Sequence, residues 1–263
     1  MQQIVQELLA FKGLVVAFWL ALFFVGERLF PADPDAPRGS AGRARLIRNG
    51  GLFLVNMGLS LSVVIPVSVW AAQTAPDWRA AVAPWWSGWV GLVLDLLLLD
   101  FLIYWWHRAN HEIPALWRFH EVHHLDAHLD SSSAVRFHFG EVLLSALVRA
   151  CVILLLDIPL ASVLVFEALV LLAAIFHHSN LRLPAGVETA LGPVIITPAQ
   201  HWVHHHKIRR DTDSTYGTVL SLWDRLFRTR SATKRRAGMP IGVEGREERG
   251  WIRLILTPFM RGG

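Results

Sequence analysis

All thirteen histidines of this 263-residue chain fall between residues 107 and 206. Histidines scattered for solubility or packing would not segregate in this way. They come in boxes. His107-Arg108-Ala109-Asn110-His111 has i,i+4 spacing, which puts both imidazoles on one face of a helix. His120-Glu121-Val122-His123-His124 brings three rings together at i, i+3 and i+4, and His201-Trp202-Val203-His204-His205 repeats that spacing. A further pair, His177-His178, lies between the second and third boxes. Neutral imidazole is the commonest side-chain metal ligand. One metal with an open position takes about three or four protein ligands, so the eight boxed histidines are too many for one ion and suit two. Imidazole accepts zinc, copper, iron and nickel alike, so ligand type does not choose the metal.

The second box also reads as H-E-x-x-H, in which His120 and His124 would bind one zinc and Glu121 would act as general base of a metalloprotease. That reading leaves His107, His111, His123 and the third box without a role. His128 and His138 stand outside the boxes, and structural or substrate-facing roles suit them better than ligation, while His206 extends the third box by one residue and is expected to point away.

The elements that must position these rings are membrane helices. Hydrophobic residues make up 53% of the chain and charged residues only 17%, against about 25% charged in an average soluble domain. Apolar runs of spanning character cover Gly13 to Phe30, Gly51 to Ala72 (despite Pro66) and Trp85 to Trp106, with two shorter ones at Val142 to Leu156 and Leu160 to Phe176. The shorter two are either tilted helices or a re-entrant hairpin turning at Asp157-Ile158-Pro159. The third run leads directly into His107, so its helix would carry the first box past the bilayer. Basic residues concentrate in residues 31–50, 107–140 and 177–263, which positive-inside logic and the parity of crossings both place on the cytoplasmic side. The formal net charge of +4 is therefore expected at a membrane face and not at a nucleic acid. The first apolar run has no small-residue cleavage site and reads as a span rather than a signal peptide. Near the C-terminus, Trp251 to Leu256 is either an interfacial segment or a packed helix.

Carboxylates in or near the bilayer are functional candidates by default. Asp100 lies seven residues before His107, on the same helix face, where it could orient a ligand imidazole. Asp95 is deeper. Glu141 suits either such a role or a helix N-terminus, and Glu167 requires a partner. Arg209, Arg210, Asp224 and Arg225 read as a surface network, with docking of an electron donor as a second reading. Tyr216 and Gly217 read as structural. Cys151 is the only cysteine, which excludes a disulfide framework and any cysteine-rich zinc or iron–sulfur site.

These features resemble the fatty acid hydroxylase/sterol desaturase superfamily of membrane di-iron enzymes. The order of boxes is similar, and so is the approach Asp100-Phe101-Leu102-Ile103-Tyr104-Trp105-Trp106 to the first box. Phe176-His177-His178-Ser179-Asn180-Leu181 looks like the family's intermediate motif. Asp213-Ser214-Thr215-Tyr216-Gly217-Thr218 with Leu222-Trp223-Asp224-Arg225-Leu226-Phe227 looks like its closing signature. Arg228 departs from the glycine common after Leu-Phe, and Phe139 from the proline common after His138.

The resemblance implies an all-α membrane bundle holding two iron ions and using O2 to hydroxylate or desaturate a lipid. The metal ligands would be His107, His111, His120, His123, His124, His201, His204 and His205. A ninth would come from His177 or His178, with His178 preferred. The implied layout is N-terminal membrane helices over residues 1–94, the catalytic region over 95–230 and a tail over 231–263. The chain has no dinucleotide fingerprint and no haem or iron–sulfur module, so electrons would come from a separate ferredoxin, rubredoxin or cytochrome-type protein. In a bacterium the location would be the inner membrane.

Overall fold

The computed structural model describes Glu7 and residues 10–260. It is helical, and among the described residues only isolated bridges take β geometry. Helix α1 spans Lys12–Leu29 and α2 spans Gly39–Thr74. The long α2 contains a π-helical turn at Ser60–Val64, just before Pro66. Proline supplies no N–H to the ladder, and the wider turn absorbs the lost bond. Helix α3 spans Gly88–Glu112 and stops at Ile113, whose extended backbone (φ −96°, ψ 113°) is what Pro114 demands of its predecessor. Helix α4 covers Pro114–His124, α5 covers Phe139–Leu156 and α6 covers Leu160–His178. The turn between α5 and α6 passes through Asp157 in the left-handed region (φ 50°). Helix α7, Pro198–His204, starts from a capping box between Thr197 and Gln200. Helix α8 covers Trp251–Leu256.

Four helices, α2, α3, α5 and α6, are long and apolar enough to cross a membrane. The two short runs are therefore helices of spanning length, joined by the turn at Asp157-Ile158-Pro159. The expected span at Gly13–Phe30 forms α1 but is not among the four. Lys12, Glu27 and Arg28 make it too charged. Glu27 is turned inward, where it accepts from the Ser131 amide (2.9 Å) and hydroxyl (2.8 Å) and from the Asn180 amide (3.1 Å). The opposite face, with Leu14, Phe18, Leu22, Val25 and Leu29, is apolar and exposed.

The core joins α2, α3, α5 and α6 through Ala71, Leu99, Ala150, Ile153, Ile158, Val163 and Phe166. Two intramembrane charges are neutralised inside it or beside it. Asp95 takes Arg79 (2.7 Å), Trp86 Nε1 (3.0 Å) and Ser162 (2.6 Å), and Glu167 finds Arg149 (3.0 Å). A second cluster of Phe23, Ala134, Ala174 and Ile175 seats α1 on α6, and Leu52, Val122, Leu125 and Leu254 seat α4 and α8 on α2. Helix α8 packs on the bundle through Leu254, which is fully buried, while Ile252 is 69% exposed.

Candidate metal centre

The boxes sit where the helices end. The last turn of α3 carries His107 and His111, the last turns of α4 carry His120, His123 and His124, α6 ends on His177 and His178, and α7 carries the third box, with His205 just past its end. Their rings form two groups, each with ligand atoms within 4.8 Å of one another. The first comprises His107, His111, His120, His124 and His204, and the second His123, His178, His201 and His205. Adjacent residues on a helix point about 100° apart, which is why His123 and His124 go to different groups.

His177 belongs to neither group. Its ring lies 3.9 Å from that of His201 and 4.7 Å from that of His178, centroid to centroid. His128, His138 and His206 also lie outside. His138 caps α5 by accepting from the Gly140 amide, and donates from Nε2 to the Ile255 carbonyl in α8 (2.9 Å). His206 pairs through Nδ1 with Asp211 (2.8 Å).

The rings are oriented from behind. His107 Nδ1 donates to the Tyr216 carbonyl (2.8 Å), His123 Nδ1 to Arg136 O (3.0 Å), His178 Nδ1 to Ala174 O (2.8 Å) and His204 Nδ1 to Ser214 O (2.6 Å). Two rings meet carboxylates instead: His120 Nδ1 meets Glu141 (2.9 Å) and His111 Nδ1 meets Asp213 (3.3 Å). Each such bond fixes the tautomer with Nε2 free as a ligand. Burial, then repulsion from neighbouring rings, holds His123, His124, His201 and His205 well below the usual histidine range. Burial takes His204 down to about 3. These rings are neutral.

That neutrality tests the fit to a metal. His123 Nε2 and His178 Nε2 are 3.0 Å apart. Both rings have given their one hydrogen, on Nδ1, to a carbonyl, so two lone pairs face each other. His201 Nε2 is 3.0 Å from His178 Nε2, and His205 Nε2 is 3.1 Å from His201 Nε2. In the first group, Nε2 of His111, His120, His124 and His204 is buried without a hydrogen bond. Buried polar atoms left unpaired cost about 1–3 kcal/mol each. A cation at the centre of each group removes that cost, so the residues fit two metal ions.

Sequence reasoning missed the loop that aims two of these rings. Ser214 and Tyr216 present their carbonyls to His204 and His107, and between them Thr215 has a left-handed backbone (φ 55°). Asp224, expected at the surface, is 1% exposed. It accepts from the amides of Tyr216 and Gly217 (both 2.8 Å) and from the Thr229 hydroxyl (2.7 Å). Gly217 admits no side chain, because a Cβ would fall 2.7 Å from Asp224 Oδ2 and 2.8 Å from Leu220 O. Asp100 works on the same segment. It contacts no imidazole and accepts from the amides of Val219 (3.3 Å) and Leu220 (3.2 Å) and from Trp223 Nε1 (2.8 Å). These three bonds hold the loop and not a ring. Tyr216 is buried, with its ring 5.3 Å from His111 and 6.0 Å from His107.

Behind the second group lies a buried ionic network. Arg45 from α2 bonds Asp126 (2.6 Å) and Asp130 (2.6 Å). Arg136 donates to Val122 O (2.9 Å), Asn49 (2.9 Å) and Glu248 (3.0 Å). Burial alone would raise the Asp126 carboxyl, but the Arg45 and Arg136 guanidiniums hold it well below the usual carboxylate range. Glu121 turns away from the rings to pair with Arg246 (3.1 Å). The general base of an H-E-x-x-H protease is thus out of place.

A helical membrane protein with two histidine groups at its helix ends is the class that fold and site define. The fatty acid hydroxylase family model matches residues 92–229, just over half the chain, and the chain belongs to that family. It is 30% identical to the ornithine lipid hydroxylase OlsE of Rhizobium tropici, over 93% of this chain and 74% of the relative. It is 31% identical to the human alkylglycerol monooxygenase over 58% of this chain, and 29% identical to the fatty acid hydroxylase vlmA of a Lecanicillium species over 84%. The chain spans 33% of the human enzyme's length and 63% of vlmA. No solved structure matches it.

Proposed function

We propose that the chain is a membrane-bound di-iron oxygenase that hydroxylates a lipid, with one iron held by His107, His111, His120, His124 and His204 and the other by His123, His178, His201 and His205. The convergence of Nε2 atoms in two groups, buried and unpaired in the first and facing one another at 3.0–3.1 Å in the second, carries this reading. Membership of the fatty acid hydroxylase family supports iron and O2, and relatives named as hydroxylases or monooxygenases favour hydroxylation over desaturation. The irons, when bound, supply O2 activation: one oxygen atom enters a C–H bond and the other leaves as water, at a cost of two electrons and two protons.

The protein's own part is orientation and exclusion. The carbonyls of Ser214, Tyr216 and Arg136, with Glu141, fix the rings. The buried site excludes water that would quench a strong oxidant. A lipid whose polar head stays at the interface can pass its chain between the apolar helices toward the helix ends. A polar-headed membrane lipid of the kind named for the Rhizobium relative is the proposed substrate class. In this reading the helices cross the membrane several times with the site on the cytoplasmic side, where the basic loops lie. Residues 95–230 are the catalytic region, between the N-terminal helices (1–94) and the tail (231–263). A separate ferredoxin, rubredoxin or cytochrome-type protein supplies electrons.

Metal analysis and turnover test it. About two irons per chain are expected, one per histidine group. O2 uptake should be coupled to hydroxylation of a bacterial lipid extract in the presence of a ferredoxin and its reductase. A single zinc would sink the reading. Two irons with no product across a broad lipid panel would favour a metal-binding protein without catalysis.

A further inference from the structure

A cavity of about 320 Å³ lies beside the first histidine group. Its lining includes Trp117, Glu121, Lys207, Arg209, Glu244 and Arg246, and none of its lining residues belongs to the four apolar helices. Trp117 forms both part of its wall and part of the packing around the metal site. The Trp117 ring is 5.1 Å from His111 and 5.4 Å from His124, centroid to centroid. Arg209 lies over the indole, 4.1 Å from its centre. The same guanidinium donates to His111 O (2.9 Å) and Asp213 (2.6 Å). One aromatic ring therefore separates an open, polar cavity from two rings of the first group.

The lining carries three basic residues against two acidic ones, and the C-terminal part of the chain that supplies most of it is basic. Residues 179–263 contain fourteen Lys and Arg against seven Asp and Glu, although the whole chain has only 25 against 21. Lys207, Arg209 and Arg246 are in the cavity itself, and Arg210 is exposed beside it. Such a surface steers acidic proteins.

We propose that this cavity is the docking site for a small acidic one-electron carrier protein, and that Trp117 relays its electrons to the first histidine group. The proposal rests on the oxygenase reading. Each turnover draws two electrons, so the carrier is oxidised by one electron in each of two encounters, and the two protons end in water. Tunnelling weakens steeply with distance, and an indole in contact with two ligand rings is a short path from the surface. Arg209 holds that indole against His111.

Two measurements test it. The first needs no metal: binding of a plant-type [2Fe–2S] ferredoxin to the metal-free, full-length protein in detergent, followed by surface plasmon resonance. Affinity is expected to fall about tenfold or more between 50 and 300 mM salt, and about tenfold in Lys207→Glu/Arg246→Gln. The second follows reduction of the iron-loaded protein by stopped flow. With rates taken per bound iron, Trp117→Leu should slow reduction by ferredoxin about tenfold or more relative to its own reduction by dithionite, and Trp117→Phe should retain most of the ferredoxin rate. Ferredoxin binding insensitive to salt and to the double substitution would overturn the proposal. So would equal slowing of both reductants in Trp117→Leu. Charge-dependent binding of anionic vesicles with no ferredoxin binding would reassign the surface to lipid. If the dithionite-reduced protein with O2 makes no lipid product, the oxygenase reading fails instead, and that outcome is read separately from docking.

Discussion

The Nε2 atoms of His123 and His178 stand 3.0 Å apart with a lone pair on each. Their Nδ1 hydrogens are committed to Arg136 O and Ala174 O, so neither ring can donate to the other. Only a shared cation makes the arrangement favourable. His177, the alternative to His178 in sequence, points both ring nitrogens into buried surroundings without a hydrogen bond and outside the group. The expected outcome is asymmetric. His178→Ala should lower iron from about two to about one per chain, while His177→Ala should retain about two, since a site stripped to three imidazoles and left open binds more weakly. Plasma emission analysis, with Mössbauer spectra to show which iron environment is lost, checks this.

Asp100 and Asp224 clamp the loop whose carbonyls reach His107 and His204. Asp100→Ala would strand two amides and an indole N–H, each costing about 1–3 kcal/mol when buried and unpaired. A clear fall in melting temperature is expected. Metal should be lost first from the five-histidine group, which contains both rings that this loop orients. Asp100→Asn, which keeps one acceptor oxygen, should recover part of both effects. A residue that merely fills space would show no preference for one metal environment, so iron spectra at partial occupancy separate the two cases.

Arg228 offers the opposite kind of test. Its backbone is left-handed, with φ 58°, which costs a side-chain-bearing residue about 1–2 kcal/mol. The resemblance to the family had marked this position as one where glycine is common, and the backbone supplies the reason. Arg228→Gly should therefore stabilise the protein by about 0.5–1 kcal/mol, after allowing for the greater freedom of glycine in the unfolded chain. Iron content and turnover should not change. Denaturation in detergent, compared with the unsubstituted protein, measures the gain.

The spacing of the histidines made the helix ends legible, because i, i+3 and i+4 are a property of the helix alone. The partition of the rings between two groups was not legible. The helix turns His123 and His124 apart, but which rings each one joins is set only by where His178 and the third box come to lie. Loop carboxylates were misread for a related reason. Asp224 sits in a polar stretch that looks exposed, and only the folded loop turns three donors toward it. Glu141 was undecided between a helix N-terminus and a partner for an imidazole. It does both, opening α5 and meeting His120. The first apolar run counted as a span by length. Its Glu27 acquires meaning only from Ser131 and Asn180, more than a hundred residues away.

The network behind the second group joins distant parts of the chain. Arg45 comes from α2, Asp126 and Asp130 from the segment after α4, and Arg136 leads into α5. Breaking a buried pair from one side leaves an uncompensated charge and costs about 3–5 kcal/mol. Arg45→Leu leaves Asp126 and Asp130 facing each other and should destabilise the protein by about that amount. Removing the charges together, as Arg45→Leu/Asp126→Asn/Asp130→Asn, should recover more than half of the loss, because no ion is then stranded. The carbonyl of Arg136 keeps its place only while this cluster is packed, so the single variant should also lose iron from the group containing His123. The triple variant should regain it in proportion to its recovered stability. If the triple variant is no more stable than Arg45→Leu, the network contributes by shape rather than by charge pairing, and thermal melts of both proteins at matched detergent and salt decide between these outcomes.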